Sequence, residues 1–175
     1  MTGLALGLLV LRVGVGLTIA AHGGQKLFGW FGGAGMAGTS AGMTRMRFKP
    51  GLLWALVAGL GEFGGGLLLV LGLLSPFGAF ALVGAMVVAI ISSHLPKGFW
   101  NRNGGIEFPL MIGVPALALT FTGAGPVSLD ALFKITLPEP ATWLVLAAGV
   151  TLTVVVALAT RRVSDSVGAK AATAP

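Results

Sequence analysis

The sequence predicts an all-α protein, an integral membrane helical bundle of five spans. Three observations predict it. Of the 175 residues 55% are hydrophobic and only 9% charged, whereas a soluble domain carries about a quarter charged residues. The mean hydropathy of +0.96 leaves too little polar surface to cover a water-soluble core. The apolar residues fall into five runs long enough to be helical spans, and the basic residues lie almost wholly on one side of them.

Residues 4–21 form the first run, broken only by Arg12. No Lys or Arg precedes it, so it reads as a retained helix rather than a cleaved signal. A polar stretch follows with His22, Gln25, Lys26, Phe28 and Trp30. Residues 32–51 are rich in Gly, Ala, Thr and Met. There Thr39 and Ser40 would cap a short interfacial helix ending near Arg47. Residues 52–74 are the second span and contain Glu62. Ser75 and Pro76 leave room only for a tight turn, so the third span, 77–94, is its antiparallel neighbour. Residues 95–105 are a polar loop. The fourth span, 106–122, opens with Glu107 and tolerates Pro109 in its first turn, while Pro115 lies deeper. After a loop at 123–140, a fifth span at 143–160 ends at Arg161 and Arg162. The remaining residues, 163–175, read as a disordered tail.

With five spans, Lys26, Arg45, Arg47, Lys49, Lys97, Arg102, Arg161, Arg162 and Lys170 share one side, and Lys134 alone lies on the other. The positive-inside rule then puts the N-terminus outside and the C-terminus in the cytoplasm of a multi-pass plasma-membrane protein. The net charge of +6 reflects these loops and points to no nucleic acid. With no cysteine, the chain has no disulfide, thiolate nucleophile or Cys-ligated cluster.

Charge within a span marks a functional-site hypothesis. Arg12 lies about 12 Å into the first span and Glu62 about 15 Å into the second. Both positions are near the middle of a hydrocarbon core about 30 Å thick, so mutual pairing is expected. Ala55, Ala58, Gly59, Gly65 and Gly66 share the face of Glu62, which therefore points into the bundle. Such a pair either locks the fold or handles a ligand or proton.

His22, Gln25, Lys26, His94, Lys97, Asn101, Asn103 and Glu107 all fall near the cytoplasmic ends of their spans. They predict a polar mouth between the first, third and fourth spans. Two histidines and a carboxylate suggest a metal triad, but the spacing is non-local and no metal is assigned. A slot for a quinone or lipid headgroup suits the composition better, walled by Phe28, Trp30, Phe99 and Trp100. The tryptophans fit interfacial anchoring better still. The segments from His22 and from His94 echo each other, each with Lys, Phe, Gly and Trp and each followed by a span with one glutamate. Gly59, Gly61 and Gly64 fit a dinucleotide-binding pattern. They lie inside a long apolar run with no strand before it, and so are helix-packing glycines.

Taken together these residues resemble the DoxX family of small membrane proteins. The matching pieces are Arg12; His22 through Gln25, Lys26, Leu27, Phe28, Gly29, Trp30 and Phe31; Glu62 with Gly64, Gly65, Gly66 and Gly72; His94, Pro96, Lys97, Gly98, Phe99 and Trp100 with Asn103, Gly104, Gly105 and Glu107; and Gly125, Pro126, Ser128, Leu129 and Asp130. The resemblance implies a four-helix membrane core, here over 1–135; the sequence departs from the family by an additional C-terminal transmembrane helix over 136–162. Some relatives are the small membrane subunit of a thiosulfate:quinone oxidoreductase. Mycobacterial relatives are linked to a membrane-associated oxidoreductase complex in thiol and oxidative-stress defence.

The resemblance implies a membrane subunit or anchor of a quinone-linked or oxidative-stress assembly. It would have no intrinsic cofactor, a bound quinone or lipid, and soluble redox enzymes as cytoplasmic partners. The candidate ligand-binding residues are Arg12, His22, Gln25, Lys26, Glu62, His94, Lys97, Asn103 and Glu107. Two other functions stay open, a small-molecule or lipid carrier built on Arg12 and Glu62, and a non-catalytic scaffold. Oligomeric state is not legible.

Overall fold

The computed structural model describes residues 2–172, with side chains through residue 161. Of the expected disordered tail at 163–175, the backbone of residues 163–172 continues the last helix, and residues 173–175 lie outside the described residues. Among the described residues every regular element is a helix. The first, α1 (Gly3–Phe28), is capped by the Thr2 hydroxyl, which accepts from the Ala5 N–H at 3.3 Å. Gly29 closes it in the left-handed region, the conformation that suits glycine at a helix end. A short helix, α2 (Gly35–Arg45), then lies against α1 and α3 (Gly51–Leu71). It starts four residues before Thr39. That hydroxyl, instead of capping α2, donates to the Lys26 carbonyl at 3.1 Å.

A tight turn through Gly72 and Leu74 leads into α4 (Ser75–Ala89). The helix widens to a π turn over Ile90–His94 and tightens to a 3-10 turn at Leu95–Lys97. Two further long elements follow, α5 (Glu107–Thr122) and α7 (Ala141–Ala172), separated by the four-residue α6 (Leu129–Leu132). Four stretches are long and apolar enough to cross a membrane: Gly3–Phe28, Gly51–Leu71, Ser75–Lys97 and Ala141–Arg161. With 16 residues, α5 covers about 24 Å at about 1.5 Å per residue, short of a full hydrocarbon core.

The central core comes from α1, α3, α4 and α5: Val15, Ile19, Leu69, Ala79, Leu82, Met86, Ile112, Ala116 and Leu119. Within it α1 and α3 approach at backbone distance. A Cβ on Gly16 would stand 2.7 Å from the Gly66 carbonyl oxygen, and one on Gly23 would stand 2.4 Å from the Phe63 nitrogen. Small residues permit this closeness in membrane helices, where packing rather than water exclusion drives association. These contacts also set the antiparallel register of α1 on α3, with Gly16 opposite Gly66 and Gly23 opposite Phe63. The outward faces carry exposed Leu4, Val10, Leu60, Met111, Val114, Leu144 and Leu152, the surface expected where lipid is the solvent.

Outside that core, α7 packs along α4. Its Ala157 joins Phe48 and Trp54 in a second apolar cluster. The Arg161 guanidinium lies 6.0 Å from the Phe48 ring. The C-terminal part of α7 therefore stands at the same end of the bundle as α2 and the end of α1, which gathers the basic loops at one end.

Candidate functional site

Arg12 and Glu62 do not meet. The register places Arg12 beside Leu69 and Val70 at the C-terminal end of α3, seven and eight residues beyond Glu62. Eight helical residues span about 12 Å. Arg12 is buried and donates Nη1 to the Leu69 carbonyl at 3.0 Å and to the Val70 carbonyl, and Nη2 to the Val127 carbonyl. Asp130 stands across from it and accepts from the Leu74 N–H at 2.7 Å, the Ser75 N–H at 3.1 Å and the Ser75 hydroxyl at 3.0 Å. A cation thus sits on the carbonyl end of α3 and an anion on the amide end of α4, each matched to the orphan groups and dipole of its helix terminus. This cluster staples the α3–α4 turn to the 123–132 loop. No single site contains both Arg12 and Glu62.

Glu62 is paired with Lys26 instead, through Oε1. The glutamate is 2% exposed and its second oxygen, Oε2, has no hydrogen-bond partner among the described residues. His22 lies within electrostatic reach of Glu62, Lys26 and His94, with the Gln25 side chain as a hydrogen-bonding neighbour. Its ring packs against Phe108 at 5.6 Å between centroids. The His94 Nδ1 stands 2.6 Å from the Gly104 carbonyl oxygen. A carbonyl only accepts, so Nδ1 carries the proton.

These groups border a cavity of about 790 Å³ between α3, α4 and α7, with α1 and α2 closing it at the basic end. Of the nine candidate residues, His22, Lys26, Glu62 and His94 line it. Gln25, the hydrogen-bonding neighbour of His22, is not among the lining residues. Lys97 and Asn103 are exposed on the loop. Glu107 holds the same loop, its Oε2 accepting from the Asn101 N–H at 2.8 Å. The echo between the two His segments therefore brings the histidines together but separates the glutamates, one in the cavity and one under a loop.

The cavity walls also differ from expectation. Phe28 and Trp30 pack against each other in a tilted pair at 4.8 Å and edge to face on Phe63 at 5.3 and 5.7 Å. Phe99 and Trp100 pair edge to face at 5.1 Å, both half exposed. None of these four lines the cavity, and their placement is that of interfacial anchors. The aromatic walls are Phe48, Trp54, Phe77 and Phe80. The π turn at Ile90–His94 presents Ser92, Ser93 and His94 to the same space, in keeping with the frequent use of such turns at functional sites. Opposite them α7 contributes Val145, Leu146, Gly149, Val150, Thr153 and Ala157. Sequence reasoning missed this face of α7, although Gly149, Thr153 and Ala157 recur every four residues, the spacing of one helical face. Among the described residues no three His, Asp or Glu side chains converge on a metal-binding geometry.

The arrangement, a four-helix core whose charged residues occupy two separate sites, can be compared with known proteins. The DoxX family profile matches residues 7–95, just over half of the chain. The chain belongs to the DoxX family. Its long apolar helices make it a multi-pass membrane protein of that family. An uncharacterized protein of Haemophilus influenzae is 38% identical over 77 residues, which cover 44% of this chain and 50% of that protein. The chain thus spans about half the length of the curated relative it matches. No solved structure matches. The DoxX match ends at residue 95, so the α7 wall of the cavity lies outside it.

Proposed function

We propose that this DoxX protein is the membrane subunit of a quinone-linked redox assembly and that the cavity between α3, α4 and α7 holds the quinone. The single observation that carries this reading is the cavity itself. About 790 Å³ falls within the range of small-molecule sites, about 300–1,000 Å³. Its lining is mostly apolar, with Lys26, Glu62, His22 and His94 on one side. An isoprenoid-like tail suits such walls, and a polar ring suits such a cluster. In this reading residues 1–135 are the family core, and residues 136–162 add the helix that walls the site.

The same reading takes α5 as a fifth, short span, the N-terminus as outside and the basic end as cytoplasmic in the plasma membrane. The basic end then offers Arg45, Lys49, Lys97 and Arg102 to soluble redox enzymes, in an oxidative-stress or sulfur-oxidising setting. The chain needs no cysteine for this role, because the thiol or sulfur chemistry belongs to the partner.

The test uses two glycines of the cavity wall, Gly61 on α3 and Gly149 on α7. A Cβ on either meets nothing within 4 Å. Gly61→Leu and Gly149→Leu therefore fill the cavity without striking the backbone, and removing a helical glycine favours folding by about 1 kcal/mol. Purified wild-type protein should carry extractable quinone. Both variants should remain as stable as wild type and carry several-fold less. Quinone-free wild-type protein that also fails to take up added quinone, or undiminished quinone in both variants, would sink the proposal.

A further inference from the structure

We infer that the cavity selects a ligand head that donates hydrogen bonds, and so takes a quinol in preference to the corresponding quinone. This rests on the quinone reading of the same site and deepens it. Glu62 is the pivot. Its carboxylate can only accept hydrogen bonds while ionised. Lys26 occupies Oε1, and Oε2 is buried with no partner among the described residues. The lysine already balances the charge, so the missing partner is a neutral donor rather than a second cation. A buried acceptor without a donor is unfavourable, and an O–H donated to a carboxylate is among the stronger hydrogen bonds.

His94 adds to the bias. Nδ1–H is given to the Gly104 carbonyl, which leaves Nε2 as the acceptor nitrogen whenever the ring carries a single proton. Both groups line the cavity, and both ask for O–H. A quinol supplies two hydroxyl donors, whereas the two oxygens of a quinone only accept.

Two donors compete. Lys26 keeps N–H groups beyond the one used on Glu62 and also lines the cavity, but it already has Glu62 Oε1 as its partner, whereas Oε2 has none among the described residues. The Trp54 Nε1–H is buried without a partner among the described residues and would suit a carbonyl. It lies eight residues before Glu62 on α3, about 12 Å along the helix, farther than one ring reaches between its two oxygens. A head seated at Glu62 is therefore read by an acceptor.

The experiment measures binding of a short-tailed benzoquinol and its benzoquinone to the purified full chain in lipid nanodiscs, under anaerobic conditions. The quinol should bind about tenfold tighter, the effect of one charge-assisted hydrogen bond. Glu62→Gln supplies an amide N–H₂ that suits a carbonyl, and should bring the two affinities within about threefold. Trp54→Phe should leave the ratio as in wild type. Quinone bound as tightly as quinol by the wild-type protein would overturn the inference while leaving the quinone site standing. Neither form binding would overturn the underlying reading. A preference that survives Glu62→Gln but vanishes in Trp54→Phe would remove Glu62 as its cause.

Discussion

Lys26 on α1 forms its ion pair with Glu62 on α3, and the carboxylate end of that pair is 3% exposed. Its partner is thus a residue at the basic end of α1 and not the arginine fourteen positions earlier. Removing one member of a buried pair leaves an uncompensated charge, which costs about 3 kcal/mol or more. Lys26→Met alone should therefore destabilise strongly. The double variant Lys26→Met/Glu62→Gln should recover at least half of the loss, because no charge remains buried. Equilibrium unfolding of the three proteins in detergent measures this as a double-mutant cycle. Additive losses would show that the pair contributes no coupling.

Arg12 has a different task, and its variants should behave differently. Its guanidinium satisfies three carbonyls at once, which the single ammonium of a lysine cannot match. Arg12→Met should cost about 3 kcal/mol of stability, and Arg12→Lys should recover only part of it. In protein that remains folded, bound quinone should stay within about twofold of wild type. Thermal unfolding followed by ligand extraction separates the two effects. A selective loss of ligand with unchanged stability would move Arg12 back among the binding residues.

The register of α1 on α3 depends on its glycines. A methyl group on Gly23 would strike the Phe63 backbone, whereas one on Gly14 meets nothing within 4 Å. Gly23→Ala should therefore destabilise by about 1–3 kcal/mol through overpacking. Gly14→Ala should be neutral or slightly stabilising. Thermal denaturation of the two variants side by side checks the contrast, and equal melting temperatures would argue against close contact at Gly23.

The all-helical and apolar character of the bundle and its basic end were legible, because hydropathy and charge add up along the chain, whereas of the five expected spans four are long and apolar enough to cross a membrane. His22, Lys26, Glu62 and His94 were also legible, since polar groups in or beside an apolar run stand out. Trp54, Ser92 and Ser93 were not. Tryptophan and serine are ordinary within a span, and their orphaned or turn-bound atoms acquire meaning only beside a cavity. Glu107 looked equivalent to Glu62 by its place after a histidine segment, yet a nearby backbone N–H captures it. Local hydrogen bonding within six residues overrode the repeat.

By itself, then, the sequence determined a membrane-embedded helical bundle of the DoxX kind, with charged groups that needed partners. Only the tertiary structure decided who those partners are. Glu62 takes Lys26 and Arg12 takes helix-end carbonyls because Gly16 meets Gly66 and Gly23 meets Phe63 at backbone distance. That contact sets the sliding position of one helix on another, and the two sites fall about 12 Å apart. Likewise α7 reads in sequence only as an additional C-terminal span, and becomes a cavity wall once α4 seats it opposite α3. Both outcomes depend on distances between residues far apart in the chain, which no local pattern of residue types records.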